Sequence, residues 1–308
     1  MKKIPLLLLA LTGLIFSACG GLDDDNQPPQ GIDDRPILEI MDGSPEFSTF
    51  VEALTQARLD LTISGGAIFT VFAPTNAAFA ASGLDLNTVD SIELENILRY
   101  HLQAGVLRTR ASFLEGQLYV STANTDSPDN SSVQLFVERL GDDIQLNGST
   151  TVENPQILGN NGIIHPIDQV LFPPTVGDMI RQNSLLSEFS ALFDEANPLA
   201  SGTPLLDSLT SGNLFTVFAP INSEFMPNPP LSDAQLLEVL LYHIVGGRST
   251  RFNDFPGTLT TLQGDQLLFT GRTVRTTSPQ SLTLRFEDIQ ATNGILHLVS
   301  EVMLPAGL

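Results

Sequence analysis

The chain has 308 residues, with 14 Lys and Arg against 35 Asp and Glu and a formal charge of −21, the wrong sign for coating a phosphate backbone, which excludes nucleic acid as a partner. Its 42% hydrophobic content, 24 Gly and 20 Pro describe a folded chain and neither a collagenous nor a disordered one, and at roughly 150 residues per domain the length suits two domains. The single cysteine excludes an internal disulfide and any all-cysteine metal centre.

In chain order, Met1-Lys2-Lys3 is a short basic stretch and Ile4 to Ile15 an apolar run, too short for a bilayer span of about 20 residues. This pattern predicts a signal peptide over residues 1–18. The stretch Phe16-Ser17-Ala18-Cys19 that follows resembles the lipobox of bacterial lipoproteins, departing from it at Phe16, where an aliphatic residue is usual. The resemblance implies cleavage before Cys19, lipidation of Cys19 and attachment to a membrane. Gly20, standing where Asp would retain such a protein, implies transfer to the outer membrane. Cleavage also removes Lys2 and Lys3, the only lysines, so the remaining cations are all arginines. A chain this acidic is repelled by anionic headgroups, and the acyl chains must hold it. Residues 19–34, with Asp23-Asp24-Asp25 and Pro28-Pro29, read as a solvated acidic tether.

The rest of the chain is one unit written twice. IFTVFAPTNAAF at 68–79 and LFTVFAPINSEF at 214–225 are identical at eight of twelve positions. ILRYHLQAG at 97–105 pairs with VLLYHIVGG at 239–247, and NNGIIHPIDQVLFP at 160–173 with TNGILHLVSEVMLP at 292–305. The blocks keep their order, and all four histidines fall on equivalent positions, His101 with His243 and His165 with His297. A period of about 140 residues is far too long for a solenoid repeat, so each copy needs its own core. The boundaries are set at 35–174 and 175–308, near Pro173-Pro174, and the short joint predicts contact between the domains.

Within each copy the first block predicts a buried strand, Phe69 to Ala73 in copy one, stopped by Pro74. Asn76 and Asn222 then predict N-caps of short helices anchored by Phe79 and Phe225. Thr75 has no counterpart in copy two, which carries Ile221. In the second block Leu94, Ile97, Leu98 and His101 recur at helical spacing, as do Leu236, Val239, Leu240 and His243. Asp90 with Glu93 and Ser232 with Gln235 have capping-box spacing, and Gly105 and Gly247 are expected to end these helices. A histidine on such a face is ordinarily a neutral core residue with its ring nitrogens satisfied. In the third block Asn161-Gly162 and Asn293-Gly294 open strands whose alternation groups Ile163, His165 and Ile167, and Ile295, His297 and Val299. Pro166 predicts an edge or irregular position for that strand in copy one.

Familiar reaction machinery is not written here. Two histidines per copy are too few for zinc, and Asp168, a conceivable third ligand, faces Ser300 in the other copy. No Gly-x-Ser-x-Gly elbow, Cys-His pair, phosphate-binding Gly-x-x-x-x-Gly-Lys or dinucleotide fingerprint occurs. Asp142-Asp143 and Glu287-Asp288 read as solvated acidic pairs. No cofactor and no metal are expected.

TVFAPTNAAF, Tyr100-His101 and NGIIHPIDQVLFP, in this order and repeated in copy two, resemble the three signature segments of fasciclin-like domains over residues 35–308. The resemblance implies an α+β fold: two tandem domains, each a β-sandwich-like wedge with packed helices. It also implies a non-enzymatic role in adhesion at cell surfaces and in matrix or biofilm. Tyr100, His101, Tyr242 and His243 match a segment implicated in partner contact in animal members, and Asp288-Ile289 match a second such element, which copy one lacks, reading Pro155-Gln156-Ile157-Leu158. The expected partners are the membrane, through acylated Cys19, and a surface or matrix protein or glycan, with the envelope as location, facing outwards or into the periplasm. A periplasmic carrier of a small apolar ligand is the alternative from a different class, and a hydrolase using the His and Asp residues is a third.

Overall fold

The computed structural model describes residues 31–196, 205–222 and 231–308. The signal peptide, Cys19, most of the tether and Phe225 lie outside the described residues.

Copy one begins with three helices, α1 (Ile37–Asp42), α2 (Ser48–Gln56) and α3 (Asp60–Ser64), which lead into strand β1 (Phe69–Pro74). Helices α4 (Asn76–Ser82) and α5 (Ser91–Tyr100) follow, then β2 (Leu102–Ala104), β3 (Gly116–Ser121), β4 (Gln134–Leu140), β5 (Asp143–Leu146), β6 (Thr150–Thr151), β7 (Ile157–Gly159) and β8 (Gly162–Ile167). Copy two repeats the plan with α6 (Val176–Gln182), α7 (Ser187–Ala196), α8 (Leu205–Ser208), β9 (Phe215–Pro220), α9 (Asp233–Tyr242) and β10 (Ile244–Gly246). It closes with β11 (Thr258–Thr260), β12 (Gln266–Thr270), β13 (Thr273–Arg275), β14 (Ser281–Ala291) and β15 (Gly294–Val299). The fold is α+β, as the sequence predicts.

The two signature strands of each copy lie side by side in parallel, Phe69 opposite Gly162 and Phe215 opposite Gly294. Every residue of these four strands is buried, because the strand pair separates two cores. On one side Phe69, Val71 and Ala73 pack with the helices, and Phe215, Val217 and Ala219 do so in copy two. On the other side Phe72 and Phe218 point into a second apolar cluster formed with the remaining strands. Alternation of period two therefore serves both cores at once, and burying each phenylalanine contributes about 2–3 kcal/mol.

The strand order is β2-β1-β8-β7, with a separate sheet β3-β4-β5-β6, in copy one. Copy two joins the same two layers into one seven-stranded sheet, β10-β9-β15-β14-β13-β12-β11. The joining element is β14, which pairs with β13 at its start and β15 at its end, with register shifts between Leu284 and Ile289. In copy one that length is divided between β6 and β7 by Asn154-Pro155, since proline has no amide to donate to a ladder.

Two local expectations are corrected. The α5 and α9 helices end at Tyr100 and Tyr242, with His101 and His243 as their C-caps, four residues before the glycines. Gly105 and Gly247 instead end the short strands β2 and β10 at positive φ, each amide donating to a carbonyl, Ile68 or Leu214. Thr75, not Asn76, caps α4 by accepting the Ala78 amide at 3.2 Å. Asn76 reaches sideways, accepting the Thr49 amide at 3.0 Å and donating to Pro45 O at 2.8 Å, and Asn222 makes the equivalent bonds to Glu188 and Ser184. Pro166 sits in β8, between β1 and β7, at a point where the ladder with β7 has ended, so its position is irregular and not an edge, within the expectation. It is accommodated because β7 pairs only with the first half of β8, and beyond it Glu153 N–H donates to the Pro166 carbonyl at 2.8 Å.

The domains touch, as the short joint predicts. Asn183 donates to the Tyr119 hydroxyl at 2.6 Å, Ser184 to Glu138 at 2.7 Å, and Arg251 forms an ion pair with Asp129. Tyr119 also packs on the apolar cluster of copy two.

Candidate functional site

The residues singled out by the sequence lie at the junction of the two cores of each domain. Helix α5 starts where Asp90 accepts the Ile92 and Glu93 amides, and α9 where the Gln235 side chain accepts the Ser232 amide at 2.9 Å. Their last turns deliver Tyr100-His101 and Tyr242-His243 to fully buried positions, all four at 0% exposure.

His101 Nδ1 lies 2.8 Å from Ile97 O, and its Nε2 accepts the Leu171 amide at 2.9 Å. His243 makes the same pair with Val239 O at 2.7 Å and the Met303 amide at 2.9 Å. A carbonyl only accepts and an amide only donates, so both rings are neutral with the proton on Nδ1. Each one ties the end of its helix to the segment after the last signature strand. Burial lowers both pKa values to about 4.

The second histidine pair has the opposite tautomer. His165 Nε2 lies 2.7 Å from Arg108 O and His297 Nε2 3.0 Å from Thr250 O, so here Nε2 carries the proton. His297 Nδ1 accepts the Asp288 amide at 3.3 Å, whereas His165 Nδ1 is buried without a partner. The rings stack on Phe72 and Phe218 at centroid distances of 5.6 and 5.3 Å, and burial lowers these pKa values to about 4 as well.

Five of the six contact residues implied by the family resemblance lie in the cores. Tyr100, His101, Tyr242, His243 and Ile289 are buried and present no side-chain surface to a partner. Tyr100 and Tyr242 donate their hydroxyls to Gln134 O at 3.0 Å and Gln266 O at 3.3 Å, bridging helix to sheet. The physical reason is the helical spacing itself, which keeps these side chains on the apolar stripe. Asp288 is half-buried at φ 59°, its carboxylate accepting the Phe252 amide at 2.8 Å. Copy one does not lack this element: Gln156 accepts the Arg110 amide at 2.7 Å in the same place.

Two further pairs complete the network: Thr70 and Thr216, which the sequence reading did not single out, and Asn161 and Asn293, which it read only as turn residues. Thr70 donates to Val106 O and accepts the Arg108 amide, and Thr216 does the same with Arg248 O and Thr250. Asn161 accepts the Ile37 amide and donates to Ile63 O, matched by Asn293 with Val176 and Leu209. Their signal was the retention of polar residues at equal places in both copies of otherwise apolar blocks.

Two copies with one hydrogen-bond plan point to one family. The Fasciclin domain pattern matches residues 45–173 and 189–305. The chain belongs to the fasciclin domain family. Human periostin is 25% identical over 276 residues, covering 88% of this chain and 31% of periostin. The chain thus spans about a third of the length of that relative. Single-copy stretches match protein sll1483 of Synechocystis, 35% identical over 145 residues (45% of this chain, 73% of that protein). Immunogenic protein MPB70 of Mycobacterium bovis is 33% identical over 159 residues (47% and 72%). Among solved structures, a FAS1 domain pair from the insect cell adhesion molecule Fasciclin I aligns with a TM-score of 0.49 at 18% identity, covering 83% of this chain and 96% of that one.

The fasciclin domains here hold no group of three or more His, Cys, Asp or Glu able to bind a metal among the described residues. No helix among those residues is long and apolar enough to cross a membrane.

Proposed function

We propose that this protein is a lipid-anchored, non-enzymatic adhesion protein of the bacterial cell envelope, whose two fasciclin domains meet a surface or matrix partner through exposed side chains. The observation that carries this reading is the shared network: all four histidines and both signature tyrosines are buried, with one ring nitrogen of each histidine against a backbone carbonyl. The groups best suited to acid–base work are thereby assigned to holding the fold. Membership of the fasciclin family and the Phe16-Ser17-Ala18-Cys19 stretch support adhesion and lipidation respectively. The chain's charge leaves acyl chains as the means of membrane attachment. The carrier alternative has less support, since two described cavities, of about 580 and 390 Å³, are each lined by three carboxylates.

Two measurements test this. Cys19→Ser should abolish incorporation of labelled palmitate and release the protein from membranes; retention of both would remove the lipid anchor. Protease added to intact cells, with a periplasmic protein as leakage control, should digest both domains. Full protection would confine them to the periplasm and overturn the surface role.

A further inference from the structure

A groove of about 580 Å³ opens where the first domain meets the segment leading into the second. Its walls are Asp90, Ile92 and Glu93 from the first turn of α5, Asp126 from the loop between β3 and β4, and Phe172 from the connecting segment, with Thr292 contributed by the second domain. Ile92 is 69% exposed and Phe172 45% exposed. Single exposed apolar residues are ordinary; here two of them line one groove beside three carboxylates.

The second copy supplies an internal control. It builds the equivalent helix start from Ser232-Asp233-Ala234-Gln235 where the first has Asp90-Ser91-Ile92-Glu93, and it carries Leu304 for Phe172. Capping needs only the Asp90 carboxylate in one copy and the Ser232–Gln235 pair in the other. The fold therefore does not require an isoleucine at 92 or a carboxylate at 93. Asp126 and Glu93 are exposed and form no ion pair among the described residues, and no Lys or Arg lines the groove.

We propose that this groove docks a cationic peptide segment of a partner protein, one that places an aliphatic or aromatic side chain between Ile92 and Phe172 and an Arg or Lys against Glu93 and Asp126. The charge complementarity selects the occupant: an anionic lipid, nucleic acid or acidic glycan meets three like charges, whereas a basic segment is steered towards them. The apolar anchor supplies the affinity and the carboxylates the selectivity. This deepens the adhesion reading and rests on it for the identity of the partner as a protein.

The test uses the full chain in detergent micelles and two blocked peptides of equal length, one alternating Arg with Leu and one alternating Glu with Leu, titrated by calorimetry. The Arg-Leu peptide should bind, more weakly as salt rises, and the Glu-Leu peptide should not. Ile92→Ala, the residue the second copy tolerates, should weaken binding by about fivefold or more, as should Glu93→Gln combined with Asp126→Asn. All variants should keep the parent melting temperature. Equal binding of both peptides, no binding of either, or unchanged binding in both variants overturns the groove. Attachment of cells to surfaces coated with the same variants separates the two readings. Attachment that persists in variants with no peptide binding sinks the groove and leaves adhesion standing. Peptide binding with no attachment by the parent chain does the reverse.

Discussion

Replacing His101 by alanine removes the side chain that hydrogen-bonds the end of α5 to the segment after β8. The imidazole is fully buried, 5.8 Å from the Phe50 ring, and accepts the Leu171 amide at 2.9 Å. An amide left buried and unpaired costs about 1–3 kcal/mol, and loss of the packed ring adds about 2 kcal/mol. The first domain should therefore lose about 4 kcal/mol, or about 10–15 °C of its melting midpoint for a unit of this size. Proton linkage sharpens the prediction. In the native state the His101 pKa is lowered to about 4 by burial, while the unfolded chain keeps the ordinary value near 6.5. Below pH 6.5 the unfolded state binds a proton that the native state refuses, so this group's stabilisation, complete above pH 6.5, declines as pH falls towards 4. The alanine variant lacks the group, so the cost of His101→Ala should shrink across that window by about 3 kcal/mol at most. Thermal unfolding of parent and variant at pH 7.5, 5.5 and 4.5 measures it. A shift below 2 °C, or a cost that stays constant with pH, would show that the ring neither carries the Leu171 amide nor is held neutral.

The same sign applies to His165, His243 and His297, each lowered to about 4 by burial, so the whole chain should lose stability steeply between pH 6.5 and 4; a flat calorimetric profile there would contradict the buried network. Gly294→Ala drives a Cβ into Phe215 O, a backbone atom that cannot rotate away, and should cost about 3 kcal/mol or more in thermal unfolding. Thr75→Ala removes the α4 cap and should cost about 1 kcal/mol, detectable as a lower urea midpoint of the first domain. Tyr119→Phe deletes the hydroxyl that accepts from Asn183 across the domain boundary, and should separate the two unfolding transitions further in calorimetry while leaving each enthalpy nearly unchanged.

Local periodicity settled a good deal of this protein in advance. The duplicated blocks fixed two domains, the helical spacing of Leu94, Ile97, Leu98 and His101 placed the histidine on a buried face, and strand alternation grouped His165 with Ile163 and Ile167, because period and polarity are properties of contiguous residues. Other features depended on residues far apart in the chain. The distance of 70 residues between His101 and the Leu171 amide, or of 46 between Gln156 and the Arg110 amide, leaves no trace in local pattern. Gln156 and Asp288 differ in type yet accept equivalent amides, those of Arg110 and Phe252, so only the fold reveals their equivalence. The helix ends were misplaced for a related reason: the histidine ring and the strand that follows it stop the helix before the glycine is reached. The parallel pairing of β1 with β8 and of β9 with β15 likewise required the whole domain, since it joins strands that begin and end each copy. Sequence alone determined which residues must leave water; the tertiary structure decided which partner each buried polar atom would find, because hydrogen-bond satisfaction in a core is set by three-dimensional neighbours.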